Sequence, residues 1–184
     1  LRHASSIWSL VCAYRITGDK FILKQVEGAL GFLVRNSFYK YKKPRTEENT
    51  AYIADLEKME VKLGGNGLAI ILLTEYMNVT GSDKYVKLCK ELGNGILELL
   101  DKETGEFTHV LSIPSLEVKT KMRTVYYDGE AVFALEALNN RFFRNRLAIA
   151  NAHQLAAHAF SRNGKTGILG QVFLPWQGRN ELKQ

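Results

Sequence analysis

The chain of 184 residues is 46% hydrophobic and long enough to bury a core of its own. Its formal net charge is +6, but residues 141–184 hold seven of the 25 basic residues and only one of the 19 acidic residues. These basic residues are spread out, which argues against a nucleic-acid-binding surface. No apolar run reaches the about 18 residues that a membrane span requires.

The chain begins at Leu1, and a helical pattern starts almost immediately, at Ala4. We therefore expect this sequence to be a piece of a longer or processed protein. Cys12 and Cys89 both lie inside apolar helical patterns, without the CxxC or Cys/His spacing of a zinc site. The sequence predicts no metal site and no cofactor.

Three segments align without gaps at an offset of 62 residues. They are ASSIWSLVCAY (4–14), NGLAIILLTEY (66–76) and DGEAVFALEAL (128–138). The first two are followed by the turns RITGDKF and MNVTGSDKY, in which Gly18 and Gly81 suit the left-handed position beyond a helix end. Each repeat therefore predicts a buried helix, a tight turn and a half-exposed helix that begins near a cap such as Asp19.

Two long connectors, residues 37–65 and 103–127, lead from each outer helix back to the next buried helix. Both alternate between polar and apolar residues and are rich in aromatic and β-branched side chains, so each predicts a small β-hairpin. After Leu138 the repeat is lost, and residues 141–184 predict a divergent basic capping helix, over about 146–160, followed by an irregular tail of the same domain.

Helical pairs with an apolar inner row and an amphipathic outer row predict an all-α fold. In this fold residues 1–140 form stacked antiparallel hairpins of a partial α/α toroid with short β-hairpin connectors. The inner helices of such a toroid run in the same direction, so their N-termini gather at one end. We expect a functional site there, among the long connectors.

Four segments carry a family resemblance, namely RHASSIWSLVCAYRITGD, KPRTEENTAYIAD, KLGGNGLAIILLTEYMNVTGSDKY and RTVYYDGEAVFAL. They resemble bacterial α/α-toroid proteins encoded with polysaccharide and capsule biosynthesis genes. More distantly, they resemble six-hairpin glycosidases, N-acylglucosamine epimerases and glucuronyl C5-epimerases. The resemblance covers about residues 2–138 and implies a carbohydrate-related role.

The segment YYDGEA at the start of the third buried helix is the first candidate for chemistry. Asp128 and Glu130 could be local features, a helix cap and a first-turn carboxylate that suits the helix dipole. They could instead face a shared cavity as catalytic or hydroxyl-binding groups. Tyr126 and Tyr127 could supply an aromatic face for a sugar or a phenol for acid–base chemistry, or one could pack at the helix entry.

The connectors and the other helix starts supply candidate substrate-binding residues. Arg45 and Arg123 could bind a carboxylate in bidentate geometry, and Glu47 or its neighbour could supply a second carboxyl. The remaining candidates are Asn66, a cap or a substrate hydrogen-bonder in the glycine-rich segment GGNG, and His3, which the repeat aligns with Gly65 and Tyr127. GGNG matches neither a Walker nor a Rossmann nucleotide-binding motif.

Two functions from different classes fit these features. The first is a carbohydrate-active or polysaccharide-biosynthesis protein that acts on an acidic oligo- or polysaccharide as a glycosidase, lyase or uronate epimerase. The second is a non-catalytic module that binds a glycan or a protein. We also expect a homodimer or a higher oligomer, because helix faces that carry Leu10, Val11, Phe133 and Leu135 are predicted to be uncovered.

Overall fold

The computed structural model describes residues 2–42 and 49–142. Each of the three aligned segments lies within a helix. The helices within the described residues are α1 (Arg2–Thr17), α2 (Lys20–Asn36), α3 (Leu63–Thr80), α4 (Val86–Glu98) and α5 (Tyr127–Phe142). The strands are β1 (Phe38–Lys42), β2 (Asn49–Asp55), β3 (Glu60–Lys62), β4 (Val110–Ser112) and β5 (Val118–Thr120).

The helices that contain the aligned segments, α1, α3 and α5, are the inner helices. They run in the same direction, as in an α/α toroid. Near their C-terminal ends, Arg15 of α1 bonds Glu75 of α3 at 2.9 Å, and Arg141 of α5 bonds Asn78 of α3 at 2.9 Å. At the opposite end, the first turn of α3 lies against the first turn of α5 at Gly64. The N-termini of these helices therefore meet at one end of the molecule.

The ends of α1 and α3 and the start of α2 follow from local chemistry. Gly18 and Gly81 adopt φ values of 66° and 71°, the left-handed conformation that favours glycine. The Asp19 carboxylate accepts a hydrogen bond of 2.8 Å from the backbone amide of Phe21 and caps α2. Both predicted helix stops and this predicted cap are confirmed.

Burial distinguishes the inner helix α3 from the outer helices. Almost every residue of α3 between Leu63 and Met77 is buried, because α1 packs on one side and α5 on the other. The outer helix α2 instead buries one stripe, Val26, Leu30 and Leu33, and leaves the opposite face in solvent. The core therefore lies between the two helical layers.

Each connector forms an antiparallel hairpin, as predicted, but the two hairpins are joined, so the description of the fold as all-α is imprecise. Their strands join in one five-stranded antiparallel sheet with the order β1-β2-β3-β4-β5. The joint is the β3–β4 pair, in which Val61 lies opposite Leu111. Pairing between segments about 50 residues apart is non-local, so the alternation within each connector could not reveal it.

The close approach of α3 and α5 depends on glycine. A Cβ atom at position 67 would lie 2.8 Å from the Glu130 carbonyl oxygen, so a side chain at Gly67 would force the two backbones apart. Within the described residues, none of the helices is both long and apolar enough for a membrane span. The predicted capping helix and tail lie outside the described residues.

Candidate functional site

Asp128 is held by a charged cluster at the start of α5. Its Oδ1 lies 2.9 Å from Nε2 of His109, and its Oδ2 accepts a 2.8 Å hydrogen bond from Arg123. The Arg123 guanidinium also lies 3.6 Å from the Glu106 carboxylate. Asp128 is the second residue of α5, so it joins the preceding connector to this helix and is not the predicted helix cap.

His109 is the buried centre of this cluster, with a side chain only 1% exposed. Its Nδ1 accepts a 2.8 Å hydrogen bond from the Thr124 amide. The ring proton therefore lies on Nε2, which donates to Asp128. His109 fixes both the connector at Thr124 and the side chain of Asp128, because both ring nitrogens are used.

Glu130 lies two residues beyond Asp128 in α5 and has a different environment. Its Oε2 atom is buried and has no hydrogen-bond partner among the described residues. Its carboxyl packs against Gly64 and the Tyr127 ring, and burial raises the pKa of Glu130 to about 7. A carboxyl with a pKa near neutrality is present in both protonation states at neutral pH, so it can give or take a proton there.

The two tyrosines differ in exposure. Tyr127 is buried, its ring lies 5.5 Å from that of His109, and burial raises the pKa of its phenol. Tyr126 packs edge-on against Tyr127, with ring centroids 5.3 Å apart, but remains 59% exposed. Tyr126 thus presents an aromatic ring to solvent at the mouth of α5, whereas Tyr127 belongs to the supporting core.

A cleft of about 570 Å³ lies beside this cluster. It is formed by the start of α1, the β2–β3 hairpin and the start of α3. The residues that line it are Arg2, His3, Ile53, Ala54, Asp55, Lys58, Glu60, Lys62 and Gly65.

Within this cleft, both carboxylate oxygens of Glu60 are paired with lysine side chains. It bonds Lys62 at 2.9 Å and Lys119 of β5 at 3.0 Å. These hydrogen bonds, that of Lys62 above all, lower the pKa of Glu60. The paired charges fix the cleft wall.

The cleft and the α5 cluster are neighbours across the first turn of α3. Gly65 lines the cleft, while the preceding residue, Gly64, contacts Glu130 and Tyr127. The Lys62 ammonium also lines the cleft and is close enough to lower the pKa of Tyr127, against the larger effect of burial. A ligand that spans the first turn of α3 could therefore reach both groups.

Five of the predicted residues lie at the start of α5, namely Arg123, Tyr126, Tyr127, Asp128 and Glu130, with Asp128 and Glu130 on different sides of the helix. His3 lines the neighbouring cleft, and its ring stacks on that of Phe32 in α2 with centroids 5.6 Å apart. Arg45 and Glu47 lie outside the described residues.

Asn66 has a defined structural role. It is fully buried, its Oδ1 accepts from the Ile53 amide at 3.0 Å, and its Nδ2 donates to the Lys62 carbonyl at 2.8 Å. Both polar ends of Asn66 thus join α3 to strands β2 and β3. We therefore do not include Asn66 among the proposed ligand-binding residues.

Three residues of the site, His109, Arg2 and Lys58, were not singled out by the sequence. His109 lies 19 positions from Asp128, so no short motif contains both residues. The sequence signal for His109 is its position directly before an apolar strand, which indicates a buried imidazole that needs two hydrogen-bond partners. Among the described residues, no three His, Cys, Asp or Glu side chains converge as metal ligands.

No protein-family model matches the chain, and no curated protein matches its sequence. Solved structures do match its fold. An α-1,6-mannanase of glycoside hydrolase family 76 from a Salegentibacter species, an inactive variant in complex with α-1,6-mannotriose, gives a TM-score of 0.67 at 12% identity. A cellobiose 2-epimerase from Bacillus thermoamylovorans gives 0.68 at 17% identity.

A possible member of glycoside hydrolase family 105 from Klebsiella pneumoniae gives a TM-score of 0.60 at 13% identity. The three matches cover 85%, 83% and 81% of this chain, but the chain spans only 45%, 42% and 39% of those structures. All three are α/α toroids of the six-hairpin glycosidase type. The predicted partial toroid is therefore confirmed as a fold.

Proposed function

We propose that this protein is carbohydrate-active and binds a glycan across the N-terminal ends of its inner helices. The observation that carries the proposal is Glu130, a half-buried carboxyl whose pKa burial raises to about 7, beside an exposed tyrosine and an open cleft. Glycosidases, epimerases and lyases all need a group that exchanges a proton with the substrate near neutral pH. Glu130 is our candidate for that group.

Tyr126 is our candidate for sugar contact. Its ring packs at a right angle against the buried ring of Tyr127, which restricts its position, and much of it remains exposed. Sugar rings pack their apolar C–H faces on aromatic side chains. A sugar on Tyr126 would lie at the mouth of α5, close to Glu130.

In this proposal Asp128 and Arg123 position the site and do not contact the substrate. Both carboxylate oxygens of Asp128 are engaged, and Arg123 bonds both Asp128 and the Phe107 carbonyl. We therefore expect Arg123 to position the connector, whereas the sequence had suggested a direct contact with a substrate carboxylate.

The fold matches supply a context for the proposal. Two of those proteins are named for α-1,6-mannan and for cellobiose, so glycans are reasonable first ligands. The inactive mannanase carries replacements at two consecutive aspartates, and this chain has no two consecutive aspartates. We therefore do not extend its aspartate pair to this protein. The acidic nature of the glycan remains part of the proposal.

The test is turnover and binding with α-1,6-mannotriose, cellobiose and a uronate-containing oligosaccharide, with products resolved by chromatography. We expect Glu130→Gln to lower turnover at least about 100-fold while binding persists, because it removes the proton-transfer group. Tyr126→Ala should weaken binding about tenfold through loss of the stacking face. Glu117→Gln, on the exposed β4–β5 turn, controls for loss of a carboxylate; a protein that binds none of these glycans contradicts the proposal.

A non-catalytic glycan-binding module is the second candidate, and one observation favours it. The Oε2 atom of Glu130 is covered by protein, which suits a structural carboxyl that never meets a substrate. In that case the wild-type protein binds glycan without product, and Glu130→Gln binds equally well. Product formation that depends on Glu130 rejects this candidate.

A further inference from the structure

We propose that the cleft between α1 and the β2–β3 hairpin is a subsite for an oxyanion carried on the sugar, and that Arg2 and Lys58 are the residues that bind it. This inference rests on the proposed function, since it assigns part of the same glycan. It concerns residues that the sequence did not single out. The chemistry expected is a carboxylate or a sulfate or phosphate ester on a sugar ring.

The charges of the cleft are the first argument. Three cationic side chains, Arg2, Lys58 and Lys62, line it together with two carboxylates. One of these carboxylates, Glu60, is neutralised by Lys62 and by Lys119, which reaches it from β5. Asp55 is thus left to face Arg2 and Lys58, so the cleft has an excess of positive charge.

The second argument is that Arg2 and Lys58 are available to a ligand. Both are exposed, and among the described residues neither side chain has an ion pair or hydrogen bond. Both residues line the cleft, and of the two carboxylates that line it only Asp55 is not already paired with lysine side chains. An oxyanion would complete the charge pattern, and the guanidinium of Arg2 could bind two of its oxygens at once.

The third argument is that the backbone of both residues is fixed. The Lys58 amide donates to Asp55 Oδ1 at 3.1 Å, and the Lys58 carbonyl accepts from Lys119 at 2.7 Å. The Arg2 carbonyl accepts 2.9 Å hydrogen bonds from the hydroxyls of Ser5 and Ser6. Only the flexible ends of the two cations remain to be ordered by a ligand.

Size and position also agree with a sugar. A cleft of about 570 Å³ falls within the range of small-ligand sites and exceeds what a lone inorganic anion needs. Gly65, in the first turn of α3, also lines the cleft, and the backbone amides of a first helical turn lack helical acceptors and favour negative charge. The adjacent residue contacts Glu130, so the rest of the sugar would extend towards Tyr126.

The experiment compares four probes on the full chain at low ionic strength, by calorimetry or by shifts of backbone amide signals. The probes are glucuronate, glucose 6-sulfate, glucose and inorganic sulfate. We expect glucuronate or glucose 6-sulfate to bind at least about fivefold more tightly than glucose, and added salt to reduce this preference. Which of the two binds more tightly identifies a carboxylate or an ester as the natural group.

Variants locate the site. Arg2→Gln and Lys58→Gln should each reduce the affinity for the anionic sugar about five- to tenfold and leave glucose unchanged, whereas Lys58→Arg should retain the preference. Lys24→Gln, on the exposed face of α2, is the matched control and should change nothing. Both tested residues are exposed, so circular dichroism should show unaltered folding.

The outcomes separate the two proposals. Glycans that bind without any preference for an anionic sugar, or a preference that survives both glutamine variants, overturn the subsite and leave the proposed function intact. Inorganic sulfate that binds through Arg2 and Lys58 without any glycan supports an anion site and contradicts the glycan function. Binding of no probe and no oligosaccharide overturns both.

Discussion

Two carboxylates only two residues apart in α5 have opposite surroundings. Asp128 is bonded by a histidine and an arginine, whereas Glu130 has a buried oxygen without a partner. The helix rotates by about 200° between them, since each residue turns it by about 100°. Their different roles therefore follow from which neighbour each side of α5 faces.

Glu130 should make the stability of the protein depend on pH. Its pKa is about 7 in the folded state against a model value of 4.5, so between these values the folded state retains a proton that the unfolded state has lost. The free energy of unfolding should therefore fall as the pH rises from 4.5 to 7 and become level above 7. The free energy of unfolding should fall by about 2 kcal/mol in all, after allowance for partial solvent screening.

Urea unfolding of the wild type and of Glu130→Gln at pH 4.5 and pH 8 measures this effect. The glutamine is neutral at both values, so the variant should gain about 2 kcal/mol relative to the wild type on going to pH 8. Glu117→Gln serves again as the control for a removed carboxylate. An equal pH dependence of the wild type and Glu130→Gln would show that Glu130 ionises without a burial cost.

At the scale of elements, the contact between α3 and α5 depends on the absence of a side chain at Gly67. Gly67→Ala should lower the free energy of unfolding by about 1–3 kcal/mol, because the new methyl meets the rigid backbone of Glu130. Gly28→Ala, in the outer helix α2, meets nothing within 4 Å and should raise it by about 0.5–1 kcal/mol.

Urea midpoints with an unchanged m-value give both numbers. The two substitutions add the same methyl group to a helix, so their opposite signs isolate the helix–helix contact. A neutral or stabilising effect of Gly67→Ala would mean that α3 and α5 are farther apart than in this structure.

The elements that could be predicted are those specified by nearby residues. The buried α3, the turns at Gly18 and Gly81, and the cap at Asp19 each follow from a short window, and the structure contains all of them. The β3–β4 pair and the His109–Asp128 contact join distant segments, so no local window contains them. The exposed cleft cations had no distinctive signal, because solvated lysines and arginines are common on any surface.

At the scale of the whole molecule, exposed apolar side chains lie on α1 and α5, the inner helices on either side of α3. Leu10 of α1 and Phe133 of α5 are each 39% exposed, whereas Val11, predicted to be uncovered, is buried at 1% exposure. Leu135 is half-buried. The surface suited to self-association is therefore smaller than the sequence suggested, yet both lateral faces retain a large apolar side chain.

We still expect a homodimer or a higher oligomer, and light scattering in moderate salt should give a mass above the 20.8 kDa of one chain. Leu10→Ser should shift the equilibrium towards the monomer if α1 forms the contact, while Lys24→Gln should leave it unchanged. A mass of 20.8 kDa at high protein concentration would contradict this prediction.

The joint between β3 and β4 has a consequence for molecular recognition. Because β3 pairs with β4, the β2–β3 turn with Lys58 and the β4–β5 hairpin belong to one sheet, and the Lys119 ammonium donates to the Lys58 carbonyl across it. The conformational entropy of these segments is lost when the chain folds. Ordering them therefore does not reduce the free energy of ligand binding. A preorganised rim of this kind selects ligands by their fit to its existing shape.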